Sequence, residues 1–164
     1  MKNFFVYLAI FVVLIFCIIC FTDFGTTEIT VLQFNQEISS ACENASGMIE
    51  SEEFGEGYYV FNDTEVLKQV KTAVRGEADT KIEILDKSGH RTYTEDADGN
   101  FKKTGTEICS FPYSFTNYKG DAVSLNNPSI VVTSTLTGKF YKVFKEEQSY
   151  TKQVIYEAVG YADL

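Results

Sequence analysis

Residues 4–21, FFVYLAIFVVLIFCIICF, are an apolar run of eighteen positions with no charge, no Gly and no Pro. As a helix the run would cover roughly 27 Å, close to a bilayer hydrocarbon core of ~30 Å. Phe4, Phe5, Val6, Leu8 and Ile10 lead it, Phe11, Val12, Val13, Leu14, Ile15 and Phe16 fill it, and Ile18, Ile19 and Phe21 close it. These side chains are the expected membrane anchor. A second pattern begins at residue 31. Val31, Phe34, Ile38, Ala41, Ala45 and Met48 follow spacings of 3, 4, 3, 4 and 3 with polar residues between them, which predicts a helix with one narrow apolar stripe. Its two alanines permit close packing, as on a core. Between the patterns, residues 22–28 (TDFGTTE) bring in polar groups and Gly25, and a hinge is expected there.

Gly47 and the acidic stretch 50–57 read as a loop, followed by a short apolar lead-in at residues 58–61. Asn62 and Glu65 form a capping pair ahead of Val66, Leu67, Val70, Ala73 and Val74, so a short one-faced helix is predicted, with Gly76 as its stop. The period then changes to two. Residues 81–85 and 91–95 flank turn chemistry at 86–89, a second turn follows at 96–100, and residues 130–136, 139–144 and 152–161 read as further strands. No connection between neighbouring strands is long enough for a helical crossover, so pairing should be antiparallel. The expected fold is α+β: an N-terminal transmembrane helix, an amphipathic helix, a second short helix and an antiparallel β-sheet. Residues 1–25 form the anchor with a short cytoplasmic start, and residues 26–164 a single domain of usual size.

Charge orients this layout. Lys2 precedes the span, Asp23 and Glu28 follow it, and no further Lys or Arg occurs before Lys68. The N-terminus is therefore expected in the cytoplasm and the domain outside the membrane. A cleaved secretory signal and a lipid anchor on Cys20 are the rival readings, against which stand the length of the run and Ile19 before that cysteine. All three export the domain. Net charge is −9, and beyond the span 13 basic residues face 23 acidic ones. Such a field repels phosphate backbones, so nucleic acid is not an expected partner.

Cys17 and Cys20 lie inside the apolar run and read as small hydrophobes. Cys42 and Cys109 lie outside it, where oxidising conditions leave open a Cys42–Cys109 disulfide or two free thiols. Asp96, Asp98 and Gly99 suggest a calcium loop, but Thr94 and Gly105 fall where its end ligands belong, so a hairpin turn is the expectation. His90 is the only histidine, and no zinc motif, nucleophile elbow or phosphate loop accompanies it. The chain therefore reads as non-enzymatic, with no cofactor. Phe111, Tyr113 and Phe115 alternate, with Tyr118 close by, and form either core or a ledge on which a sugar or peptide could stack.

The Lys-bearing start, the apolar span, the helix VLQFNQEISSACENASGM, the capped second helix and the terminal strands together resemble the small bitopic pilin-like proteins of Gram-positive bacteria, especially Tad-type pseudopilins. The resemblance implies a structural or assembly component of a surface appendage or secretion apparatus, whose partners are the lipid bilayer and other copies or apparatus proteins. It carries no catalytic residues. The alternative is a membrane-tethered module that binds a sugar, peptide or protein through the aromatic ledge.

Overall fold

The computed structural model describes residues 2–55, 58–74, 78–138 and 147–158. The first element, α1 (Lys2–Ser46), is one uninterrupted helix of 45 residues. The expected hinge at residues 22–28 is absent. Gly25 continues the helix, and Thr22, Thr26 and Thr30 each donate their hydroxyl to the carbonyl four residues back, at 2.6, 3.1 and 2.9 Å. Back-bonding of this kind bends a helix at most, and here it leaves the run of helical residues unbroken. Met48 falls just past the helix end and packs on the core from the following turn.

Residues expected as acidic loop contain a short helix, α2 (Ser51–Gly55), after which Phe61 bridges back to Ile49. The capped helix forms as predicted: α3 (Asp63–Ala73) begins after Asn62, whose side chain accepts from the Glu65 amide at 3.0 Å. Gly76, its expected stop, lies outside the described residues, as does the strand expected at 139–144.

The strands are β1 (Ala78–Asp86), β2 (Gly89–Glu95), β3 (Phe101–Glu107), β4 (Tyr113–Thr116), β5 (Ala122–Leu125), β6 (Ser129–Gly138) and β7 (Gln148–Glu157). Five of them make an antiparallel sheet in the order β3-β2-β1-β6-β7, and β4 and β5 form a separate two-stranded hairpin. The α+β layout is thus present. A two-residue turn joins β1 to β2, pairing Asp86 with Gly89. Only glycine fits there: φ is +118°, and a Cβ would come within 2.6 Å of the Glu107 carbonyl oxygen.

Because side chains alternate across a strand, the sheet has two distinct inner faces. Ile82, Ile84, Ile130, Val132 and Leu136 meet α1 and α3 on one of them, through Phe34, Ile38, Ala41, Cys42, Ala45, Val66 and Val70. Ala41 and Ala45 are fully buried, so the small residues of the stripe do permit the helix to lie close on the strands. Leu85 and Val131 point the other way, under Phe115 and Leu125 of the β4–β5 hairpin.

Candidate functional site

The helix α1 changes character along its length. Through residues 4–21 its large apolar side chains are exposed on all sides, from 41% at Ile15 to 78% at Phe21. It is the one described helix long and apolar enough to cross a membrane. From Phe34 onward one face is buried at 2% exposure or less. An all-round apolar surface has no folded partner within the chain, whereas a one-faced helix has its partner in the sheet.

The sheet faces hold two polar clusters that the sequence reading did not find. On the helix face Asp86, fully buried, accepts from Arg91 Nη1 at 2.8 Å and Nη2 at 2.7 Å, from the Phe61 amide at 3.0 Å and from the Ser88 amide at 2.8 Å. Arg91 also donates through Nε to Asp63 at 3.1 Å, and the Tyr93 hydroxyl donates to the same carboxylate. Burial alone would lower the Arg91 pKa, but the carboxylates of Asp86 and Asp63 outweigh it and hold the guanidinium above its ordinary value. Burial, then Asp63, push the Tyr93 phenol up. These groups pin the start of α3 and residue 61 to the β1–β2 hairpin.

On the opposite face a linear chain runs from Glu83 through His90 to Tyr113. His90 Nε2 lies 3.1 Å from Glu83 Oε1, and its Nδ1 lies 3.0 Å from the Tyr113 hydroxyl. Lys81 reaches Glu83 at 3.0 Å, and Glu107 stands 3.9 Å from His90. The order of groups is that of a hydroxyl, a base and an orienting carboxylate. Burial, then Glu107, raise the pKa of its terminal phenol, which disfavours the phenolate. Nor do these three residues line the clefts at Glu50, Asn62 and Lys103, at Gln33, Gln36 and Ser40, or at Lys71, Glu95 and Phe101. The chain ties the hairpin to the sheet.

Other candidate residues fall into place around these clusters. Cys42 and Cys109 are both free thiols packed against opposite faces of the sheet, so the disulfide between them does not form. The Cys42 Sγ faces the Ile130 and Val154 carbonyls at 3.6 and 3.8 Å, and burial pushes its pKa up to about 12, which makes it inert. The aromatic ledge is mainly core, for Phe115 is 4% exposed and Phe111 and Tyr113 pack beside it. Tyr118, at 47%, is the member that faces solvent. Asp96 and Gly99 form a turn in which Asp96 accepts from the Asp98 and Asn100 amides and pairs with Lys102 at 2.8 Å. No group of His, Cys, Asp and Glu able to hold a metal ion occurs among the described residues.

No family model, curated protein or solved structure matches the chain.

Proposed function

We propose that this protein is a non-enzymatic membrane-anchored component of a surface appendage or secretion apparatus, with its domain outside the cytoplasm and a layout similar to the pilin-like proteins. The observation that carries the proposal is the continuity of α1, whose bare apolar half and domain-building half are one rigid helix of 45 residues. Any force or packing constraint on the span reaches the domain without a flexible joint. Such a helix suits a subunit that waits in the bilayer and then packs against its copies through the same surface. The processed prepilin pattern is not followed: Lys2-Asn3 precedes the span and no carboxylate lies within residues 4–21. Assembly is therefore proposed for the intact chain. The tethered binding module has less support, because most of its aromatic ledge is used as core.

The test exchanges residues 4–21 for an unrelated Leu/Ala span of equal length in which Cys17 and Cys20 are kept in place. Lipid tolerates any apolar shape, whereas packed helices discriminate among shapes. With the domain still folded and membrane-bound, loss of the oligomers that Cys17 or Cys20 cross-links in cells is the expected result. Full assembly and function on the foreign span would overturn the proposal in favour of a tether.

A further inference from the structure

The apolar exposure of α1 does not stop where the eighteen-residue run stops. Phe24, Ile29 and Leu32 are 49, 55 and 54% exposed, so large apolar side chains stay open beyond the run itself. At about 100° per residue they share one broad side of the helix with Phe21. Asp23 and Thr27, at 6 and 5% exposure, lie on the other side, in line with the buried Phe34, Ile38 and Ala41. One side of residues 21–32 thus continues the surface of the span while the other already belongs to the fold.

We infer that this ridge is a lipid-contact surface that seats the domain in the outer interfacial region of the bilayer. The inference rests on the reading of residues 4–21 as a span. Position supports it: residues 4–21 already cover roughly 27 Å of the ~30 Å hydrocarbon core, so the ridge begins at the outer headgroup layer, and tilt of the helix brings the ~16 Å of residues 22–32 down along that layer. Charge fixes the depth. Glu28 is exposed within the ridge, and an unpaired carboxylate belongs among headgroups and water, not in hydrocarbon. Asp23, nearer the span, is turned into the fold and does not meet lipid. Because α1 has no hinge, a ridge held at the interface also fixes the tilt of the domain, which then rests on the membrane surface and does not stand off on a stalk.

The chain contains no Trp, so a single introduced one reports its own surroundings. The full chain is placed in phosphatidylcholine vesicles whose acyl chains are brominated near the headgroup, and iodide is added as the aqueous quencher. Phe24→Trp, Ile29→Trp and Leu32→Trp should each be quenched by the brominated lipid, emit at shorter wavelength and be shielded from iodide. Ser39→Trp, two turns farther on the same side, should be open to iodide and untouched by bromine. Leu14→Trp reports the span itself. Bromine quenching at Leu14 with iodide access at Ile29 and Leu32 equal to that at Ser39 would overturn the inference and leave the span intact. Shielding of the ridge from both quenchers would also overturn it, since another protein surface would then cover the ridge. Iodide access at Leu14 would remove the span, and the ridge reading with it.

Discussion

On the helix face of the sheet Asp86 closes β1 with both carboxylate oxygens filled by two amides and a two-pronged guanidinium. On the hairpin face, three residues earlier in the same strand, Glu83 is nearly as buried but is held by a flexible ammonium and an imidazole. Lys81 is 46% exposed and Glu107, beyond His90, is 73% exposed, so water reaches both ends of the second cluster. The difference follows from what each carboxylate joins. Asp86 ties the β1–β2 hairpin to the segment at residue 61 beneath a helical layer, where an unmet charge has no recourse to solvent. Glu83 serves a two-stranded cover at the edge of a small apolar cluster. The face that carries the continuation of α1 is rigidly cross-tied, and the other is closed by a hairpin whose polar contacts are partly wet.

The sharpest way to break the comparison is Asp86→Ala. It leaves Arg91 buried with only Asp63 to offset it and orphans the Phe61 and Ser88 amides. Removing one partner of a buried pair costs about 3–5 kcal/mol. Urea unfolding of the domain should show that loss, and a cost below that of the corresponding change at Glu83 would reverse the ranking of the two faces.

Glu83→Gln should cost less, about 1.5–3 kcal/mol for hydrogen bonds to a charged group, toward the lower end because Lys81 is half exposed. Its effect should also depend on pH. Burial works to raise the Glu83 pKa, but hydrogen bonds and charge from His90 and Lys81 together bring it below the ordinary glutamate value. A carboxylate depressed in the folded state stabilises fully above its unfolded pKa, and that contribution is lost as pH falls through the folded one. The stability gap between wild type and Glu83→Gln should therefore be constant near neutral pH and close as the solution is acidified below the glutamate range. A gap that widened on acidification would contradict the assigned direction.

Periodicity made most of the fold legible. The stripe from Phe34 to Ala45 and the Asn62 cap follow from local spacing and are present, whereas β1 forms as a strand but is buried on both faces over residues 82–86, because the β4–β5 hairpin covers the face that alternation leaves to solvent. The hinge at Gly25 was misread because a glycine with polar neighbours carries the same signal as a break, and the back-bonding of Thr22, Thr26 and Thr30 is invisible until the helix exists. The polar clusters depend on register. With a two-residue turn at Lys87 and Ser88, Ile84 pairs with Arg91 and Leu85 with His90, which brings Asp86 near Arg91 and Glu83 near His90. That much could have been read from the turn. Asp63 and Tyr113 could not, since they arrive from α3 and from the hairpin, whose placement no local pattern encodes. The choice between a Cys42–Cys109 disulfide and two free thiols stayed open for the same reason: two residues that sit on opposite sides of a sheet look no different in sequence from two that meet.

The smallest effect, and the one that isolates the hairpin, is Tyr113→Phe. It keeps the ring, which lies edge-on to His90 with centroids 5.5 Å apart and packs beside Phe115, and removes only the hydroxyl that reaches His90 Nδ1. A single neutral hydrogen bond is worth about 0.5–1.5 kcal/mol. Because Tyr113 is only half-buried, water can satisfy part of what is lost, which places the expected cost in the lower half of that range. The change should be local. Backbone amides of β4 and β5 should exchange with solvent faster, while those of β1 and β6 hold their wild-type rates, since the apolar cluster of Leu85, Phe115, Leu125 and Val131 is untouched. Uniformly faster exchange across both strands sets would mean that the hairpin is integral to the sheet's stability, and the two faces would then differ in chemistry but not in how firmly they are closed.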